Sequence, residues 1–359
     1  MAIPRGTKKK TKKNIMLSAN FLRSFSAGQK NVCLVFFLGL MSLYTLRKLC
    51  EYSWGRCRSK RSMAGKTVII TGANSGMGKA TAMELARRGA KVIMAWHSVN
   101  SALSAAAEVR QITSIDKVIL RYLDPASFTS IRAFAKYVHE HEARVDVLIN
   151  NAAVYNCDFM RTADELETQM EVNYLGHFLL INLLLDVLKA SRPSRIIVVT
   201  SLLYVDGPIQ LPDLVMNERN YDARQAYADS KLACALLVRE LSKRLRGTGV
   251  TSYAVSPGLV NTSLGRYFKI SWYSYLILLP LSLFLLRTPE QGCQSVVDCA
   301  VDEKYEKESG MLYRNCQMKT WHPTPLDAHL ARNLWNTSKL LTEQPASPPE
   351  PEVAQEALV

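Results

Sequence analysis

Hydrophobic positions along the chain follow two alternating periods. Short apolar runs rich in Val and Ile fall at 67–71, 92–95, 118–122, 145–149, 195–199 and 251–255. Between them, apolar residues return every three or four positions over 79–88, 102–111, 129–141, 164–174, 177–189 and 224–245. A run that is apolar at nearly every position suits a strand covered on both faces, and the longer periodic stretches suit helices. Strands alternating with helices predict an α/β fold: a doubly wound, Rossmann-type parallel sheet in a single domain.

Two apolar stretches fall outside this rhythm. Residues 32–46 carry no charge and lie between Lys30 and Arg47-Lys48. As a helix they reach about 22 Å at 1.5 Å per residue, short of a hydrocarbon core of about 30 Å. The flanking basic side chains can snorkel to the interface. A retained membrane anchor is expected over 31–50 behind a basic leader, 1–30. An organellar leader or an interfacial helix are the alternatives. Both flanks are basic, so charge sets no orientation. The second stretch, 272–286, is broken by Pro280. It is expected to form an apolar substrate flap within 267–290, an ordinary pair of core helices being the alternative. The main domain is expected over 64–342, and a Pro/Glu-rich disordered tail over 343–359.

Charge is unevenly placed. The 359 residues carry a formal net charge of +14. Residues 1–66 hold 15 Lys and Arg against one acid, Glu51, and the remainder holds 30 of each sign. A folded body without excess charge argues against a nucleic-acid-binding domain. The basic leader suits an anionic lipid surface or a topology signal. The eight cysteines, 33, 50, 57, 157, 234, 293, 299 and 316, include no CxxC pair. Free thiols in a reducing compartment are expected, and no metal site, since no His/Cys cluster has ligand spacing.

The chemistry lies at the ends of the predicted strands. Gly72 follows the first strand, Asn74, Ser75 and Met77 continue the turn, and Gly76 and Gly78 open the next helix. A tight turn, a close backbone approach to phosphate and a helix N-terminus facing it make a nucleotide site. The second strand ends Trp96-His97-Ser98, without the acid that binds the ribose 2′-hydroxyl of NAD. NADP(H) is therefore expected, with His97 and Ser98 at the 2′-phosphate and NAD(H) as the alternative. Asp124 suits the adenine amino group, or a helix cap. Asn151 and Ala152 supply small residues where the cofactor crosses the sheet. Pro257 and Gly258 follow the last strand where the nicotinamide rests, and Thr262 suits its carboxamide. Reduction of a carbonyl also needs a proton. Tyr227 can donate it if its pKa falls from about 10, and Lys231, four residues on, shares its helix face. Ser201, ending the fifth strand, can bond the substrate oxygen. Asn173 can hold a water that feeds protons to Lys231.

These strings together resemble the short-chain dehydrogenase/reductase family, and within it the retinol-dehydrogenase-like branch. Residues 71–78 correspond to that family's TGxxxGxG, and Asn150-Asn151-Ala152 to its NNA. Asn173, Ser201, Tyr227 and Lys231 correspond to its catalytic tetrad. The chain departs from the branch at Trp96-His97, Ala153, Thr200 and Ser256. The resemblance implies nicotinamide-dependent interconversion of a lipophilic alcohol with its aldehyde or ketone, retinol and retinal among them. A steroid or other lipid-carbonyl reductase, or a catalytically silent membrane-bound nucleotide-binding scaffold, are the alternatives. It also implies attachment to the endoplasmic reticulum membrane with a cytosolic catalytic domain, the mitochondrial membrane being the alternative. Pairing through sheet-flanking helices into a homodimer is open. Two sequons, at Asn261 and Asn336, are expected to be unused.

Overall fold

A computed structural model describes residues 27–111, 117–209, 214, 218, 221–267, 282 and 284–343. Most of the expected leader, the centre of the expected flap and the tail beyond 343 lie outside the described residues. The chain divides into two units, Met1–Ser53 and Trp54–Val359. In the first, helix α1 (Ala27–Ser53) turns Val32, Phe36, Phe37 and Leu43 outward, all exposed.

The second unit alternates strand and helix as the periodicity predicts. Its elements run β1 (Thr67–Thr71), α2 (Gly76–Arg87), β2 (Lys91–Trp96), α3 (Val99–Arg110), β3 (Val118–Tyr122), α4 (Phe128–His141) and β4 (Val147–Asn150). Then come α5 (Gly176–Ala190), β5 (Ser194–Val199), α6 (Ala223–Arg244), β6 (Val250–Val255), α7 (Gln294–Val301), β7 (Met311–Arg314), β8 (Gln317–Lys319) and α8 (Ala328–Thr342). The strands form one sheet in the order β3-β2-β1-β4-β5-β6-β7-β8. The first seven are parallel and β8 returns antiparallel beside β7. This is the doubly wound Rossmann order, and it reverses direction between β1 and β4.

Strand alternation divides the core in two. Ile69, Leu148, Ile196 and Val198 face one layer, with Phe134 of α4, Leu180 of α5, Leu236 of α6 and Leu334 of α8. Val68, Ile70, Ile149 and Ile197 face the other, with Leu85 of α2, Ala106 of α3 and Val296 of α7. Burial on both faces explains why these strands read as unbroken apolar runs.

Three expectations change. The fourth strand begins at Val147, and Asp146 ahead of it is a buried polar anchor. Its carboxylate accepts from Thr67 N at 2.9 Å and from Lys66 and Arg144. The helices expected over 164–174 and 177–189 are one stretch beginning at Thr168, capped by the Glu167 carboxylate. A π-turn, Glu171–Leu175, joins its parts. By length and mean hydropathy Thr168–Ala190 passes as a membrane span, yet 72% of its most apolar 18 residues is buried, so it is a core helix. Strands β7 and β8 were not predicted, and every residue of β8 is exposed.

Candidate functional site

A cleft of about 540 Å³ opens at the C-terminal ends of the strands, beside the reversal between β1 and β4. Ligands of open α/β sheets bind at such points. Gly72, Asn74, Ser75, Gly76, Met77 and Gly78 line one wall, and His97 and Ser98 its rim. Asn151 and Ala152 form the floor, while Ser201, Tyr227, Lys231, Pro257, Gly258 and Thr262 close the far end. No carboxylate lines the cleft among the described residues, so it suits an anionic ligand.

The glycines of the first wall are needed sterically. A Cβ on Gly78 would stand 2.3 Å from the Gly72 carbonyl oxygen and 2.6 Å from Asn151 Nδ2. Gly76 has φ +50°, and its Cβ would meet Thr262 Cγ2 at 2.9 Å. Backbone is therefore exposed where a dinucleotide phosphate must come close, at the N-terminus of α2. Ser75 makes no side-chain cap there, and its hydroxyl meets Ser263 Oγ at 3.1 Å. These residues fit the dinucleotide that the motif implies.

Ser101 was not anticipated. Asn74 Nδ2 donates to its Oγ at 2.8 Å, and that Oγ donates to the Ser98 carbonyl at 3.1 Å. The clip ties the β1 turn to the start of α3 next to His97. Its signal was available: Ser101 lies one helical turn beyond Ser98. Asp124 does not line the cleft. Its Oδ1 accepts from Ala126 N at 2.9 Å in the turn ahead of α4, whose N-cap is Ser127, and its neighbour Pro125 reaches the cleft instead.

Helix α6 carries the far end. Its N-terminus is capped by Asp222, which accepts from Gln225 N at 2.6 Å. Tyr227 and Lys231 follow one turn apart on the face packed toward β5, both buried. The Tyr227 ring packs at 4.4 Å on Tyr155, a residue that sequence reading missed. Lys231 Nζ donates to the Val199 carbonyl at 3.1 Å and lies 5.4 Å from the Tyr227 ring centre. Burial pushes the Tyr227 phenol above its ordinary range, against the lowering expected from Lys231, while a hydrogen bond with Ser201 opposes the rise. Burial also lowers the Lys231 ammonium. The phenol is thus held protonated beside Ser201.

Asn173 sits in the π-turn and does not line the cleft. Its side chain is engaged by the segment after β4. Oδ1 accepts from Val154 N at 2.8 Å, and Nδ2 donates to the Val154 carbonyl at 3.0 Å and Ser230 Oγ at 3.0 Å. Its main-chain carbonyl also meets α6, where Cys234 Sγ donates to it at 3.2 Å.

The loop of Pro257 and Gly258 is held from behind by Arg287, which sequence reading also missed. Nη1 donates to the Pro257 carbonyl at 2.9 Å and Nη2 to Asn315 Oδ1 at 2.9 Å. Burial lowers this guanidinium to about 10. Among the described residues no group of three His, Cys, Asp or Glu side chains is arranged to hold a metal.

Residues 66–269 match the family model for short chain dehydrogenase. Human retinol dehydrogenase 13 is 46% identical over 289 residues, covering 80% of this chain and 87% of that protein. Human retinol dehydrogenase 14 is 42% identical over 292 residues, covering 78% and 87%. Among solved structures, an uncharacterised protein of Mycobacterium paratuberculosis superposes with a TM-score of 0.63 at 32% identity, covering 79% of this chain and 95% of that one. Pseudomonas aeruginosa RhlG, solved with NADP in its active site, shares the fold with a TM-score of 0.57 at 22% identity, covering 70% and 94%. Sheet order, glycine cradle and family match agree: the chain belongs to the short chain dehydrogenase family.

Proposed function

We propose that this chain is an NADP(H)-dependent oxidoreductase that interconverts a lipophilic alcohol and its aldehyde or ketone, with retinol and retinal as the candidate pair. The observation that carries the reading is the convergence of Tyr227, Ser201 and Lys231 at one end of a cleft whose other end is a glycine cradle. The names of the retinol dehydrogenase relatives support the substrate class. The absence of a carboxylate at His97 and Ser98 supports the phosphorylated cofactor.

A bound nicotinamide supplies or accepts hydride at its C4. The protein's residues manage the proton and the position. In reduction, Tyr227 donates its phenolic proton to the carbonyl oxygen as that oxygen gains negative charge, and Ser201 orients the oxygen by hydrogen bonding. Lys231 stabilises the phenolate that Tyr227 leaves behind. In oxidation Tyr227 takes the hydroxyl proton and the order reverses. Gly72, Gly76 and Gly78 would admit the phosphates, and Pro257, Gly258 and Thr262 would hold the nicotinamide end.

Helix α1 supports membrane attachment, since its apolar side chains stand outward on every turn. Its Thr45 hydroxyl is satisfied within the helix by the Met41 carbonyl at 2.8 Å, as a lipid-facing segment requires. Arg47 and Lys48 pair with Glu51 at its C-terminal end. An anchor in the endoplasmic reticulum membrane, with the second unit in the cytosol, would deliver an insoluble substrate to the cleft.

The test is loss of NADPH and NADH absorbance with all-trans-retinal in detergent, using Tyr227→Phe as control. Turnover with NADPH that the control abolishes, while still binding nucleotide, is expected. Nucleotide binding without turnover moves the substrate to another lipid carbonyl, and absence of binding overturns the reading.

A further inference from the structure

His177 takes no part in the chemistry described so far, yet it joins the two halves of the site. It lies in the first turn of α5, 2% exposed. Nε2 stands 3.0 Å from Thr71 Oγ1, and Nδ1 stands 3.1 Å from the Asn173 carbonyl, one helical turn back. Thr71 closes β1 just before the cofactor turn. Its Oγ1 already accepts from Asn151 N at 2.8 Å and Ala152 N at 2.9 Å.

Those two donors fill the hydroxyl's acceptor positions, so its own proton goes to His177 Nε2. Nδ1 then carries the ring proton and donates it to the Asn173 carbonyl, which also accepts from Cys234. The tautomer follows from the network. We infer that His177 is a positioning residue, a neutral imidazole locked in the Nδ1–H tautomer, that couples the cofactor floor at Thr71, Asn151 and Ala152 to the Asn173 carbonyl that Cys234, one turn from Lys231 on α6, also bonds.

Neutrality is enforced locally. Burial, opposed by the Asn173 hydrogen bond and aided by the nearby Lys231 charge, lowers His177 to about 4. The ionisable groups facing it from α6 are Lys231 and Cys234. Burial raises the thiol, keeping it protonated. A charged imidazole here would set a second cation against Lys231. The π-turn follows the same logic, because it presents the Asn173 carbonyl to both His177 and Cys234.

The inference rests on the proposed nucleotide-dependent chemistry, and its test separates the two. Three full-length variants divide the bridge. His177→Phe removes both hydrogen bonds and keeps a ring. His177→Asn keeps a donor to the Asn173 carbonyl, as Asn182 in the same helix does to Phe178 O at 2.8 Å. His177→Gln reaches toward Thr71 and loses the Asn173 contact. NADPH affinity by fluorescence, kcat against pH with all-trans-retinal, and melting temperature are measured for each. Phe is expected to weaken NADPH binding and lower kcat, each by about tenfold or more, and to shift the kcat–pH profile. Asn is expected to keep the wild-type profile with weakened binding. Gln is expected to keep the affinity with the shifted profile. The ¹⁵N ring shifts of His177, assigned by difference from the Phe variant, are expected to report a neutral Nδ1–H imidazole from pH 5.5 to 8. Variants that lose kcat and affinity together, in step with melting temperature and with an unmoved profile, overturn the inference while the enzyme reading stands. So does an Nε2–H or charged ring. A wild-type chain that fails to bind NADPH overturns both.

Discussion

His97 stands at the rim where β2 gives way to α3, next to Ser98 and the Asn74–Ser101 clip. A permanent planar charge there grips a 2′-phosphate by paired hydrogen bonds. His97→Arg is therefore expected to raise the ratio of kcat/KM for NADPH over NADH about tenfold, while His97→Asp reverses the preference. Steady-state kinetics with both nucleotides check this, and an unchanged ratio removes His97 from cofactor choice. Gly78 carries a different constraint. A methyl group there meets the Gly72 carbonyl oxygen and Asn151 Nδ2, both part of the cofactor wall. Gly78→Ala is expected to cost about 1–3 kcal/mol by overpacking and to weaken nucleotide binding. Denaturant unfolding and NADPH titration read the two effects separately.

At the scale of the element, the stretch Thr168–Ala190 backs the site, lining the cleft through Val172. Its π-turn opens with Glu171, a fully buried acid whose carboxylate accepts from the Thr162 hydroxyl. Burial pushes Glu171 up to about 9, against an ordinary 4.5. The native state therefore keeps a proton that the unfolded chain releases, and stability falls as pH rises between these values. His177, six residues on, acts oppositely. Lowered from 6.5 to about 4, it contributes stability that is present above pH 6.5 and lost as pH falls toward 4. Glu171→Gln mimics the protonated acid. It is expected to flatten the decline of melting temperature from pH 5 to 9 and leave the acid side governed by His177. A variant that declines as steeply as wild type would falsify the buried neutral acid.

Over the whole molecule, the excess positive charge and the exposed apolar helix both lie within residues 1–66, ahead of or at the start of a redox fold. That arrangement suits a domain held at a membrane surface, on the cytosolic side under the proposed function. Both sequons are then expected to stay bare. Asn261 adjoins Thr262 at the cleft, and Asn336 lies within α8, whose Ser338 hydroxyl is buried against Tyr174 at 2.7 Å. Glycosidase treatment of protein from mammalian cells is expected to leave its mass unchanged. A shift at Asn261 overturns the cytosolic placement and the open cleft together. What the sequence determined alone were the features with local causes. Strands buried on both faces read as apolar runs, the turn at 72–78 needs glycine wherever it occurs, and Tyr227 and Lys231 share a helix face by spacing. The short strands β7 and β8 were illegible: β7 has only two buried apolar residues, Leu312 and Tyr313, and the exposed three-residue edge strand β8 has no hydrophobic pattern to declare. Nor does any spacing relate Thr71 to His177, or Arg287 to Pro257. Those contacts join residues far apart in the chain, and only the packing of α5 and the β6 loop against the sheet decides which buried donor meets which acceptor.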